Sequence, residues 1–471
     1  STGLDHMKEL GITHAHLLPT FDHRSIDETR LDEAQYNWGY DPLNYNVPEG
    51  SFSTNPYDGG IRIKEFKEMV QTFHENGIRV ILDVVYNHTG QTEDSNFNQL
   101  VPNYFYRQNS EGGFSDASAC GNETASERYM MRKYIIESVK YWVNEYHIDG
   151  FRFDLMGIHD METMNKVSAA VREIDPSIFV YGEGWTAGSS PLPSEEQALK
   201  ANTYKMENVA AFSDDLRDGL KGSVFEHEQR GFVSQGDNMK ESIKFGIVAS
   251  TQHPQLDYQA VNYSKAPWAS EPSQTISYVS CHDNHTLFDR LKISNPDASE
   301  AELIQMHKLA ETIVLTSQGV PFLHAGMEML RTKNGEENSY QSPDEINQID
   351  WTRKEQYTEV FNYYKGLIRL RKNHSAFRMP STKMIQENLE FLDIAGENFL
   401  AYRIKDNANG DSWKEILVLL NGSDMNKTMS LPTGNWILVS NGITVNEDGI
   451  GRNRSGGLTI PARTAFILYQ N

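Results

Sequence analysis

One pattern constrains this chain more than any other: an amphipathic stretch leads into a short, strongly apolar run, and the pair then repeats. From Arg62 to Asn76, apolar Ile63, Phe66, Met69, Val70 and Phe73 recur at three- and four-residue steps. That spacing predicts a helix, and Gly77 follows where a left-handed terminating residue is expected. Next comes Ile78-Arg79-Val80-Ile81-Leu82-Asp83-Val84-Val85, a run apolar enough for a strand of a parallel sheet covered on both faces. A second helix carrying Tyr134, Ile135, Val139, Trp142 and Val143 leads to Gly150-Phe151-Arg152-Phe153-Asp154-Leu155. A third, around Met164 to Ile174, leads through Asp175-Pro176 to Ile178-Phe179-Val180-Tyr181-Gly182-Glu183. Such alternation predicts an α/β protein with a closed (β/α)8 TIM barrel.

The pattern changes near Arg378. Phe399-Leu400-Ala401-Tyr402-Arg403-Ile404, Ile416-Leu417-Val418-Leu419-Leu420 and Ala465-Phe466-Ile467-Leu468-Tyr469 are separated by Gly, Asn and Asp clusters. They predict a C-terminal antiparallel β-sandwich over 378–471, leaving 1–377 to the barrel. Loop-rich segments at 89–126 and 184–202 interrupt the barrel, and long loops on a rigid scaffold commonly carry function.

The apolar strands end in charge. Asp83 interrupts an Ile/Val run, where an unpaired carboxylate would cost several kcal/mol. Alone it would be read as a structural ion pair. Arg152 and Asp154, however, stand two apart and so share one face of their strand, Glu183 closes the next strand, and His282-Asp283-Asn284 closes Ile276-Ser277-Tyr278-Val279-Ser280-Cys281. In a parallel barrel those ends converge on the C-terminal rim, where barrel enzymes place their active sites. Three carboxylates beyond Asp83 (Asp154, Glu183 and Asp283), with histidines and an arginine and without an activated Ser or Cys, suggest cleavage by paired carboxylates, and sugar hydrolysis fits that set best. Retention would need the carboxyls of Asp154 and Glu183 about 5–5.5 Å apart. Arg152 would keep Asp154 ionised, and desolvation between Gly182 and Gly184 beside Trp185 would keep a proton on Glu183.

Charge agrees with a neutral ligand. With 43 basic against 65 acidic residues the net charge is −22, which repels nucleic acid and anionic lipid headgroups. No apolar run approaches the roughly 20 residues needed to span a bilayer. Cys120 and Cys281 allow at most one disulfide and stand in no zinc-ligand spacing, so they leave the compartment open.

Four segments carry a resemblance: Asp83-Val84-Val85-Tyr86-Asn87-His88, Gly150-Phe151-Arg152-Phe153-Asp154, Gly182-Glu183-Gly184-Trp185 and His282-Asp283-Asn284. In order and spacing they resemble the signature regions of the α-amylase superfamily, glycoside hydrolase family 13. Tyr36-Asn37-Trp38-Gly39-Tyr40-Asp41-Pro42 looks like the YNWGYDP motif of type I pullulanases. Gly121-Asn122-Glu123-Thr124-Ala125-Ser126-Glu127-Arg128 and Phe322-Leu323-His324-Ala325-Gly326-Met327-Glu328 look like that subfamily too. The resemblance implies an endo-acting α-1,6-glucosidase with Asp154 as nucleophile, Glu183 as general acid and base, and Asp283 as the third carboxylate. It implies substrate-binding roles for Tyr40, Asp83, His88, Arg152, Trp185, His282 and Asn284, with Tyr40 stacking beneath the sugar ring. An aromatic ring is a natural platform for the apolar face of a glucose, although Trp38 would serve core packing equally well. No organic cofactor is implied. Calcium is common in the superfamily and Asn87 occupies a position associated with it, but no metal is assigned.

The expected partner is an α-glucan. Rivals are another enzyme of the family (a neopullulanase, isoamylase or α-1,4-acting amylase), a non-catalytic starch-binding homologue, and a phosphate-binding barrel. The last would want a Gly-rich anion loop that is not evident. Counting back from the signatures makes Thr13-His14-Ala15-His16-Leu17-Leu18 the second barrel strand. An upstream segment carrying the first strand is therefore expected, and the resemblance to type I pullulanases implies carbohydrate-binding modules on that segment as well.

Overall fold

The computed structural model describes residues 1–451 and 454–471. The chain divides into two compact units, one made of Ile12–Phe212 with Tyr340–Asp344, the other of Ser1–Gly11, Ser213–Ser339 and Glu345–Asn471.

The first unit is built on five parallel strands in the order His14–Leu17, Arg79–Val84, Gly150–Phe153, Phe179–Gly182 and Val209–Phe212. Helices Gly59–Glu75, Tyr129–Tyr146 and Met161–Ile174 precede the second, third and fourth of them, the arrangement of repeated βαβ crossovers. Local chemistry starts these helices: the Asp58 and Asp160 side chains accept the backbone N–H of Gly60 and Thr163. The Tyr129–Tyr146 helix ends at His147 in a left-handed conformation. Its inward face buries Ile135, Val139, Trp142 and Val143, the residues whose spacing announced it.

The second unit contributes two further parallel strands, Thr275–Ser277 and Val320–Pro321, so seven parallel strands lie among the described residues. His14–Leu17 is the first of them in the chain. The predicted strand at 276–281 is shorter than expected, because from Tyr278 the backbone leaves the ladder to form the loop carrying His282 and Asp283. The same unit holds the antiparallel sheet, in the order Leu389–Phe391, Phe399–Ile404, Glu415–Asn421, Thr464–Gln470 and Ile437–Ser440. Beside it runs the two-stranded pair Lys427–Ser430 and Gly457–Ile460. Alternate residues Phe399 and Ala401, Leu417 and Leu419, Phe466 and Leu468 form one core with Trp436 and Ile460. The opposite face is covered too, and there the Tyr402 hydroxyl donates to the Thr316 carbonyl at the end of helix Glu300–Thr316 (3.1 Å). No helix among the described residues is long and apolar enough to cross a membrane.

Candidate active site

Strand register lines up the charges. Asp83 pairs opposite Arg152, and Arg152 opposite Tyr181, on three successive strands. Side chains at opposed positions of neighbouring strands share one face, so the register makes Arg152 the centre of a row. Its Nη1 lies 2.8 Å from Asp83 Oδ1 and 3.1 Å from Asp154 Oδ1, while Nη2 lies 2.8 Å from Glu183 Oε1. Burial alone would lower the pKa of this guanidinium; Asp83, Glu183 and Asp154 instead hold it well above the ordinary arginine value. One cation thus ties three of the predicted carboxylates together.

Asp83 is fully buried and fully used. Beyond Arg152, its Oδ2 meets the Tyr40 hydroxyl at 2.7 Å and His16 Nε2 at 3.2 Å. His16 Nδ1 meets the Tyr181 hydroxyl at 3.0 Å. Neither His16 nor Tyr181 stood out in the sequence as a site residue, and only the register brings them in. Asp154 has a second clamp: Asn87 Nδ2 donates to its Oδ2 at 2.8 Å and to its carbonyl at 2.9 Å.

Glu183 is placed by two close backbone approaches. A Cβ on Gly182 would stand 2.5 Å from the Phe153 carbonyl, and one on Gly184 would stand 2.5 Å from the Lys200 nitrogen, so only glycine fits on either side. Leu155 takes a left-handed conformation (φ 40°), the kind of local strain found at functional sites. Its N–H donates to Glu183 Oε2 at 2.9 Å. Glu183 Oε1 faces Arg152 Nη2, so each carboxyl oxygen has a donor beside it.

His88 is 2% exposed, with Nδ1 at 2.7 Å from Asn87 Oδ1 and Nε2 at 2.7 Å from the Tyr40 carbonyl. Burial brings its pKa down to about 4 despite the contact with that carbonyl. The Tyr40 ring stands beneath the Arg152 guanidinium, 5.8 Å from it. Trp38 is buried and packs edge-on against Tyr40 and Tyr340. Trp185 is half-buried, its backbone close enough to Gly157 to leave no room there for a Cβ. The loop over 89–126 is tightly held: Arg107 pairs with buried Glu123 at 3.0 Å, and Asn122 exchanges hydrogen bonds with the Thr89 backbone.

His282, Asp283 and Asn284 belong to the second unit. His282 Nε2 stands 3.6 Å from Asp283 Oδ2, the Asp283 side chain is 46% exposed, and Asn284 is left-handed (φ 62°). Lys333, absent from the sequence reading, donates from Nζ to the His282 carbonyl at 3.0 Å and so braces this segment.

Calcium requires a cage of oxygen ligands. At Asn87 the amide nitrogen faces Asp154 and the oxygen faces His88, so this residue works as a clamp and does not fit a calcium ligand. Asp22, Glu28 and Glu49 also gather, but Arg62 lies within ion-pair distance of Asp22 and Glu28.

Residues 1–111 match the catalytic domain of α-amylase, and 385–444 match a pullulanase all-β domain. A pullulanase from Bacillus subtilis (strain 168) is 43% identical over 92% of this chain. The structure of a pullulanase from Paenibacillus barengoltzii superimposes over the whole chain with a TM-score of 0.93 at 44% identity, and the chain covers 71% of it. The chain belongs to the pullulanase family. A pullulanase from Bacillus acidopullulyticus gives the same TM-score and identity. The chain spans 58% of the B. subtilis relative and 56% of the B. acidopullulyticus structure. Family membership also accounts for the architecture, a parallel α/β barrel sheet followed by an antiparallel β module.

Proposed function

We propose that this chain carries the catalytic centre of an endo-acting, retaining glycoside hydrolase that cleaves α-1,6-glucosidic branch linkages in pullulan, amylopectin and limit dextrins. The observation that carries the proposal is Arg152 holding Asp154 on one nitrogen and Glu183 on the other. Two carboxylates on one guanidinium are close enough for one to attack the anomeric carbon while the other serves the leaving oxygen. Asp154 is the nucleophile, kept anionic by Arg152 and aimed by Asn87. Glu183 protonates the departing oxygen and then takes a proton from water, and Asp283 grips sugar hydroxyls. Tyr40, Asp83, His88, Arg152 and Trp185 are assigned to substrate binding, and so are His282 and Asn284. The catalytic part is assigned to 1–377 and the β module to 378–471. The similar P. barengoltzii pullulanase is described in complex with maltohexaose and α-cyclodextrin, which favours an α-glucan as substrate.

The test compares products from pullulan and from amylose. Release of maltotriose from pullulan with amylose untouched is expected, and the reverse would indicate an α-1,4-acting enzyme. Asp154→Asn and Glu183→Gln should each lower turnover by roughly three or more orders of magnitude while the protein stays folded, because attack and proton transfer lie in series. A loss of only a few-fold in either variant would remove that residue from its role.

A further inference from the structure

His227, His285 and Glu337 each place one ligand atom within 4.8 Å of the other two. None of the three figures in the carboxylate chemistry above. We infer that they form a binding site for one divalent transition-metal ion of the zinc class, with solvent completing the coordination.

The donor set suits that ion. Two imidazoles and a carboxylate are ordinary zinc ligands, and three protein ligands with a fourth position left open is a common zinc arrangement. In a tetrahedral site, ligand atoms about 2.0–2.1 Å from the metal stand about 3.3–3.4 Å apart, so the observed set closes on an ion by side-chain movements of about an ångström. Until then His227 Nε2 pairs with Glu337 Oε2 at 2.8 Å, and the two imidazoles meet edge to face, centroids 4.8 Å apart. His285 is 6% exposed, whereas the His227 and Glu337 side chains are 42% and 43% exposed. One ligand is thus fixed inside and two can open to admit an ion.

The site is also built. A single helix, Leu287–Ser294, anchors the loops that carry all three ligands. His285 lies two residues before it, just after left-handed Asn284. Arg290 of that helix donates from Nη2 to the carbonyls of Glu226 (2.7 Å) and Gln229 (2.8 Å), which flank His227. Asp289 accepts the Lys333 N–H at 2.7 Å, and Lys333 Nζ reaches the Glu337 carbonyl at 3.3 Å. Burial first, and His227 second, pull His285 below the usual imidazole pKa, which keeps its lone pair available to a metal. Because Lys333 also holds the His282 carbonyl, an ion here stiffens the loop that carries Asp283.

The experiment uses the full chain, stripped with a chelator and returned to a non-coordinating buffer. Calorimetric titration with zinc chloride should give one ion per chain, and titration with Co2+ should produce the visible bands of a four-coordinate centre. His227→Gln, Glu337→Gln and His285→Ala should each weaken zinc binding by at least about tenfold. The first two alter partly exposed side chains, so their melting temperatures in chelator should equal that of the parent. Absence of saturable zinc binding overturns the site. So does binding undiminished in all three variants, which would mark adventitious capture by other histidines.

Discussion

At the scale of single residues, the site depends on Arg152 and on the partners that occupy each oxygen around it. Tyr40 tests how they are coupled. Its ring is proposed as a platform for the sugar, and its hydroxyl donates to the buried Asp83 carboxylate at 2.7 Å. Tyr40→Phe should therefore cost about 1–3 kcal/mol of stability by leaving Asp83 short of a donor, while kcat/KM on pullulan falls less than in Tyr40→Ala, which loses the ring as well. Urea unfolding and steady-state kinetics on both variants separate the two effects; a fully stable Phe variant would remove the hydroxyl from this account. Asp83, Arg152, Asp154 and Glu183 were legible because charge at the end of an apolar strand is conspicuous. His16 and Tyr181 were not, since their role follows from the pairing of strands distant in sequence. Asn87 was legible as a position but not as a clamp, because amide orientation is set by Asp154 and His88 together.

At the scale of elements, amphipathic helices were legible and fully buried ones were less so. The Glu300–Thr316 helix is buried along nearly its whole second half and past both sides, so it lacks the one-sided periodicity that marks a surface helix. The strand Val209–Phe212 escaped notice for a related reason: Val-Ala-Ala-Phe is too short and plain to stand out. Val320–Pro321 is only two residues long, too short to carry a period. Glu311 makes the buried helix testable. Both its oxygens are buried with no hydrogen-bond partner among the described residues, and burial, with Glu328 adding to it, raises its pKa well above the ordinary carboxylate value. The folded state thus holds Glu311 neutral while the unfolded chain ionises it above about pH 4.5, so stability is lost as pH rises from there. Glu311→Met, an apolar replacement of similar length, should raise stability at pH 7 by about 1–3 kcal/mol. The gain should shrink as pH falls towards 4.5, and an equal gain at both pH values would show that Glu311 does not titrate this way.

At the scale of the whole molecule two electrostatic effects oppose each other on acidification. A net charge of −22 means that adding protons relieves self-repulsion and favours the compact state. Against this, His88, His159 and His307 are each 2% exposed or less, and burial lowers their pKa values to about 4, 3 and 4. They stay neutral in the folded protein while the unfolded chain binds protons below about pH 6.5, so by linkage each removes stability as pH falls from there towards its folded value. Each such group contributes at most about 1.4 kcal/mol per pH unit in that window, and three together outweigh a repulsion between surface charges that salt screens beyond about 8 Å at physiological ionic strength. The melting temperature at that ionic strength should therefore fall between pH 6.5 and 5, and fall less steeply at low salt, where relief of repulsion counts for more. His159 separates the two effects, because neither ring nitrogen has a hydrogen-bond partner among the described residues and its ring packs edge-on against Phe153. His159→Leu should flatten the decline by removing one site of proton uptake from the unfolded chain. A melting temperature that rises on acidification at physiological salt, or a slope that His159→Leu leaves unchanged, would assign the acid response to the surface charge instead.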